Sequence, residues 1–529
     1  MAITYTVLVD WNNDGDFTDA NDDITGDVLS LSWSRGRDYA SALKGRSVAG
    51  KLTANLINTG GKYSPSNTSS VLSGLFPYSF PLSFNSGILP GRSIRLQAGS
   101  GSFPYTFPML FNDGVRWQGK LDRIRPAPAS RGRKTAKLTA FGTLGYLNQF
   151  ETQLASQTNR RTDQAIGDIL DDVGWTSSDD RDLEEGKTTI SRFWISGKKA
   201  IDALRLVEEA EAGFVKESKS GQIAFENRFH RLTQTASTTS QATFSDADGA
   251  TLTFDQIAQA DPLSTIVNHV EAKARKFNTA SLGVLWTHPE TASDSPTLAP
   301  GESKTFEAEF PNPDSANNAM EVDAWTTPAA TTDYLLNAAS DGSGTNLTSD
   351  ITVTQVKTAE RMAITLTNSA TGSDGYLTKL QARGTAVSTK NPCIVRAIDT
   401  TSQTAYGERK YVAKTKFIPT TSEAQDWCDY QLLIYASPIE VLTMTIPSTP
   451  ANIAQVLSRD LSDRITVTAT NDSKLGISAD FFIESEKHQV SAGGQEHRTV
   501  WELSPASGGY SQFWVLGTSV LGTSTVPAF

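Results

Sequence analysis

The sharpest chemical signal in this 529-residue sequence is an acidic loop near its start, DWNNDGDFTDANDD, from Asp10 to Asp23. Asp10, Asn12 and Asp14 occupy the first, third and fifth places of a calcium loop. Gly15 supplies the turn at the sixth, and Asp16 offers its carbonyl at the seventh. Hard oxygen donors at that spacing suit a structural Ca2+. The twelfth place breaks the pattern, because Asn21 stands where a bidentate Glu belongs, with Asp22 and Asp23 just beyond. A strand signal also replaces the helix that normally precedes such a loop, and Asx-rich segments make β-turns without metal. Both readings stay open on the sequence.

Other chemistries find less support. The five histidines, His230, His269, His288, His488 and His497, show neither HExxH nor HxH spacing. His488 and His497 fall where neighbouring strands are expected, and read as surface or hydrogen-bonded side chains. No GxSxG elbow, phosphate loop or GxGxxG turn occurs. Glycosidase carboxylates need no local motif, but the candidates Glu208, Glu209 and Glu211 lie on an expected helix and read as its solvated face. Cys393 and Cys428 are the only cysteines, too few for a disulfide framework or a CxxC site, and read as packed thiols. No enzyme and no cofactor other than calcium are expected.

The elements that position these residues are mostly strands. Leu29, Leu31 and Trp33 alternate with serines. Leu52, Ala54 and Leu56 alternate with polar residues, and the period of two recurs at 93–98, 135–140, 270–275 and 362–367. Two amphipathic helices are expected near 162–173 and 197–212, capped by Thr162 and Ser196 and ended by Gly174 and Gly213. A third follows a Ser422/Gln425 capping box, with Ala424, Trp427 and Leu432 inward. The proline-broken aromatic stretch 76–91 reads as a surface loop, either a subunit contact or one packed on its own domain. With 38% hydrophobic residues and abundant Gly, Ser and Thr, the chain reads as a mainly β, multidomain protein. A net charge of -11 argues against gripping duplex DNA but is compatible with a conduit along which phosphates slide. No export signal and no spanning apolar run are visible, so no membrane insertion by the chain itself is expected.

Several stretches together resemble a known family. The run DWNNDGDF, then LSWSRGRD and GRSVAGKLTANLINTGGKYSP, is similar to the N-terminal part of tail-tip or baseplate hub proteins of tailed bacteriophages, the structural part of tail-associated proteins. RTDQAIGDILDDVGW, IVNHVEAKAR, DTTSQTAYGER and SEAQDWCDYQL extend the resemblance along the chain, and it is weakest in 280–390 and in the final GTSVLGTSTVPAF. The resemblance implies a virion protein, assembled in the host cytoplasm into the tail tip. It implies a homotrimeric ring of six tube-like β-barrel or sandwich domains. That ring would join the sixfold tail tube and distal tail proteins to a central fibre or spike and let DNA pass. The domains implied are 1–150 (first tube-like), 151–240 (small α/β module), 241–279 with 391–529 (second tube-like) and 280–390 (inserted β-sandwich). The alternative is a carbohydrate- or receptor-binding tail protein working through 280–390. Family members often continue into a peptidase or lysin, whereas this sequence stops soon after HRTVWELSPA, so no lytic activity is expected.

Overall fold

The computed structural model describes residues 3–38, 46–67, 69–72, 88–100, 114–127, 132–260, 263–310, 319–370, 372, 374–389, 392–491 and 496–506. Most of the aromatic loop at 76–91 and the final GTSVLGTSTVPAF lie outside them. The fold is mainly β.

Six strands open the chain: β1 (Ile3–Val9), β2 (Val28–Arg37), β3 (Ser47–Ile57), β4 (Ser93–Ser100), β5 (Val115–Ala127) and β6 (Thr135–Phe141). After α1 (Thr143–Leu147) come β7 (Glu151–Arg161), α2 (Thr162–Asp172), β8 (Arg181–Leu183), β9 (Thr189–Lys199), α3 (Ala200–Glu211), β10 (Phe214–Glu217) and β11 (Ile223–Glu226). Single turns α4 (His230–Thr233) and α5 (Thr235–Thr238) lead to β12 (Thr243–Ser245), β13 (Gln256–Ala260) and β14 (His269–Ala274). Strands β15 to β23 lie between Phe277 and Thr389 and form two sheets around one core, where Met362, Ile364 and Leu366 meet Leu377, Leu380 and Trp325. Next are β24 (Cys393–Ile398), α6 (Thr400–Tyr406), β25 (Lys410–Val412) and α7 (Thr421–Tyr435). Strand β14 pairs with β24 and β25, and this small sheet shares a core with α7. The chain closes with β26 (Val441–Ile446), α8 (Pro450–Ser458), β27 (Arg464–Ala469), β28 (Ile477–Ser491) and β29 (Glu496–Pro505).

The largest sheet has twelve strands and divides into two sixes. The first pairs in the order β1-β4-β5-β6-β3-β2, the second in the order β12-β27-β28-β29-β26-β13. Numbered within each unit, both orders are one-four-five-six-three-two. The registers match as well. Leu52 opposite Ala140 corresponds to Leu442 opposite Leu503, and Ile94 opposite Gly119 corresponds to Ile465 opposite Phe481. Trp33 opposite Leu52 corresponds to Gln259 opposite Leu442. Even the bulge recurs: the ladder slips between Leu121 and Arg123 and, at the corresponding place, between Ile483 and Ser485. One pairing differs, since β1 runs antiparallel to β4 whereas the short β12 runs parallel to β27. The chain therefore contains one β unit twice.

Alternation explains why these strands form. Leu52, Ala54 and Leu56 are buried with Leu138, Ile94 and Leu96, and Leu442, Met444 and Ile446 with Trp501, Ile465 and Val467. Each such large side chain fully withdrawn from water contributes ~1.5–3 kcal/mol.

The helix starts differ from the expected caps. Thr162 is the first helical residue of α2; just before it the Arg161 N–H donates to Gln164 Oε1 at 3.2 Å, and the Thr162 hydroxyl donates to Glu211 at 2.8 Å. Ser196 lies inside β9, which runs on to Lys199, the residue before α3. For α7 the cap is Thr420, whose hydroxyl accepts from Glu423 N at 3.2 Å and donates to its carboxylate at 2.9 Å.

Candidate functional site

The two β units meet where β2 adds antiparallel to the second half of β28, with Leu31 opposite Val490 and Gly36 opposite Ser485. The close approach requires glycine: at φ +131°, a Cβ on Gly36 would lie 2.4 Å from the Ser485 Cα. Buried charge fills this seam. Arg35, 4% exposed, donates to Glu486 and to Asp460, both at 2.6 Å. Glu484, at the bulge, accepts from Arg231 at 2.7 and 3.0 Å and from Arg37 at 3.3 Å. The Trp33 ring stacks on His488 at 4.4 Å, and His488 Nδ1 lies 3.0 Å from His497 Nε2, which completes an aromatic plug under Tyr5.

The β10–β11 hairpin underpins the same seam. Arg35 donates to the Glu217 carbonyl at 3.2 Å. The Glu217 carboxyl accepts from Gly50 N at 2.9 Å and Leu144 N at 2.6 Å, in a space that a side chain at Gly142 would fill.

Burial sets the electrostatics here. Burial alone would raise the Glu484 carboxyl, but the Arg231 and Arg37 guanidiniums outweigh it and hold it down at about 2. Glu486 is likewise held at about 2, where Arg35 overcomes burial. Burial, with His488 adding, pushes His497 down to about 3. Burial raises Glu217 to about 7 against its backbone donors and Arg35. The arrangement can hold two β units in a fixed register; Arg37 and Arg231 also line a cleft beside Glu226, Arg228 and His230.

The acidic loop is built as a series of Asx turns. Asp10 is buried, and its carboxylate accepts from the backbone N–H of Asn13 and, at 3.1 Å, of Gly15. Asn12 donates to Asp14 at 2.9 Å and also to Asp19. The carboxylates of Asp14, Asp16 and Asp19, all exposed, come within 4.8 Å of one another, an oxygen donor set of the kind Ca2+ takes. The group thus includes Asp19 from outside the expected set, while Asp10 anchors the loop backbone. Asn21, at the twelfth place, has φ +82°, and its carbonyl accepts from Trp11 Nε1 at 3.0 Å.

The glutamates of α3 do not form a solvated face. Glu208, Glu209 and Glu211 are all buried. Glu209 accepts from Thr415 N at 2.7 Å, from Lys414 N at 3.0 Å and from the Tyr411 hydroxyl. Glu211 accepts from Thr188 N at 2.8 Å, Lys187 N at 3.1 Å and Arg228 Nε at 3.2 Å. Helical spacing revealed the apolar stripe of α3; Glu208 is bonded by nearby Arg205 and Val215 N, but the partners of the Glu209 and Glu211 carboxylates lie 17 to 206 positions away. Of the cysteines, Cys428 is buried and Cys393 is exposed, so the latter is not the packed thiol expected. Among the described residues, no helix is long and apolar enough to cross a membrane.

No family model matches the chain, and no curated protein does. Solved structures do. The chain is similar to phage tail proteins. The 43 kDa tail protein of prophage MuSo2 from Shewanella oneidensis matches over 96% of this chain and 99% of its own, at 9% identity and TM-score 0.47. A tail protein from Neisseria meningitidis matches over 96% and 97%, at 10% identity and TM-score 0.48. Prophage tail protein gp18 from Listeria monocytogenes matches over 95% and 94%, at 8% identity and TM-score 0.39. Each likeness lies below a TM-score of 0.5, too distant to carry a functional inference.

The seam residues Arg35, Glu484 and Glu486 had no sequence signal as a group. Arg35 and Glu486 are 451 positions apart, and only the pairing of β2 with β28 brings them together.

Proposed function

We propose that this chain is the structural hub of a phage tail tip or baseplate. The observation that carries this reading is the duplicated six-strand unit, joined within one chain by adding an edge strand of one copy to a long strand of the other. Such an edge-to-strand contact is head-to-tail, and head-to-tail contacts close into rings when their rotation allows. Three subunits carrying two units each would present six similar units to a sixfold tail tube, with a central fibre or spike below. The role is mechanical: to close the tube, hold the spike and leave a passage for DNA, which a net charge of -11 would not bind. No lytic activity belongs to this reading.

Within it, Asp14, Asp16 and Asp19 would hold a calcium ion that braces the acidic loop against β1. Calcium added to the purified chain is expected to release or absorb heat and to raise the melting temperature, and D14N/D16N to abolish both. No heat and no shift in the unsubstituted chain would remove calcium from the account.

The test of the hub itself is mass by light scattering followed by electron microscopy of the same sample, alone and with tail-tube protein. The expected result is a trimer seen as a threefold ring of six lobes around a lumen. A compact monomer in both samples contradicts it.

A further inference from the structure

The internal seam states, residue by residue, what the free edges of the chain are shaped to meet. Strand β28 is longer than its neighbour β27 requires. Residues 477–482 pair with β27, and residues 485–490, on the same flank, pair with β2. Its counterpart in the first unit is β5, with Leu121 at the place of Ile483 and the bulged Asp122 at the place of Glu484. Strand β5 is also longer than its neighbour requires, since residues 115–120 pair with β4 and the strand then runs on to Ala127. Among the described residues, no strand covers 122–127 on the β4 flank. The counterpart of β2 is β13, which pairs with β26 on one side and, among the described residues, with no strand on the other. One chain thus carries the strand that adds and the half-strand that receives, at opposite ends of its sheet.

We propose that β13 of one copy adds antiparallel to residues 122–127 of β5 in the next copy, repeating the β2–β28 pairing between subunits. This rests on the ring reading above and specifies its contact. The register transfers directly. In the seam, Ser32, Trp33 and Ser34 stand opposite Gln489, His488 and Lys487. Matched ladder positions turn these into Ala258 opposite Ala127, Gln259 opposite Pro126 and Ala260 opposite Arg125.

Charge and exposure agree with the pairing. Arg123 and Arg125 are exposed on the receiving half of β5. The groove beside β13 is lined by Asp246, Asp248, Asp255 and Asp472. Opposite charge on the two surfaces steers association. Pro126 has no N–H to donate, so a strand added here gains no hydrogen bond from that nitrogen. A second copy is the occupant that the chain's own seam describes, because the inner contact and the proposed outer one use corresponding strands in the same sense.

The experiment is cysteine cross-linking in the full chain with the exposed thiol removed (C393S). Ala127 and Ala258 are exposed, so A127C and A258C leave the core untouched. Directly opposite residues of an antiparallel pair have Cα atoms about 4.5–5.5 Å apart, within disulfide reach. Mild oxidation of the double variant is expected to give a covalent ladder ending at the closed ring on a non-reducing gel. Each single variant should give none, and A258C with R125C, two residues out of register, at least ~10-fold less. A ring seen by microscopy that does not cross-link in this register overturns the pairing and leaves the hub reading standing. A cross-link confined within one copy also overturns the pairing. A monomer with and without tail-tube protein overturns both.

Discussion

Glu211 shows what a single side chain contributes here. It is fully buried and accepts from Thr162, Lys187, Thr188 and Arg228, adding to the direct bond from Thr162 N to the Thr188 carbonyl. Removing the carboxylate takes its anionic partner from the Arg228 guanidinium, which keeps its bond to Thr188 Oγ1, and an acceptor from several N–H and O–H donors. Such truncations cost about 3–5 kcal/mol. E211A is therefore expected to lower the urea midpoint of unfolding by that equivalent, and E211Q by less, because its amide oxygen still accepts. Equal stability of E211A and the unsubstituted chain would show that the module does not depend on these bonds.

At the scale of elements, the β2–β28 seam ties stability to pH. Glu484 and Glu486 are held at about 2 and His497 at about 3, all below their ordinary values. The folded state thus binds fewer protons at these groups than the unfolded chain does. Their contribution is complete above about pH 6.5, shrinks first as the unfolded histidine gains its proton, and then falls further below about pH 4.5 as the unfolded glutamates gain theirs. Glu217, raised to about 7, and Glu321, raised to about 8 by burial that outweighs Arg192 and Lys416, have the opposite sign. Their contribution is complete below about pH 4.5 and is lost as pH rises through their folded values. Melting temperature is therefore expected to fall steeply from about pH 4.5 to about pH 3, and to decline gently from about pH 6.5 to about pH 8. A curve that stays flat on the acid side would contradict the ion-paired seam.

At the scale of the whole molecule, twelve strands make two copies of one unit, and the remaining elements hang from them. The helical module lies between the sixth strand of the first unit and the first strand of the second. The β14–β24–β25 sheet, its α7 and the β15–β23 pair of sheets all lie between the second and third strands of the second unit. Insertion at strand connections leaves the ladder intact, which is how one unit can be elaborated while the other stays plain. The mass and threefold image proposed above test the molecule at this scale, since they depend on how whole units repeat.

The sequence by itself determined the strands and the apolar faces of the helices. The alternation at 29–33, 52–56, 93–98 and 135–140 became β2, β3, β4 and β6, because a period of two puts every second side chain on the buried face whatever lies beyond it. The acidic loop was legible as a turn-forming, oxygen-rich segment for the same local reason. Only the tertiary structure decided which carboxylates converge there, that the α3 glutamates are buried, and that Arg35 meets Glu486. Those outcomes depend on partners tens to hundreds of residues away. The resemblance implied two tube-like domains, but the residues themselves show no repeat: Trp33 corresponds to Gln259 and Ile124 to Glu486. Backbone hydrogen bonding preserves a strand order while side chains change freely, so the repeat persists in the ladder after it has vanished from the residues.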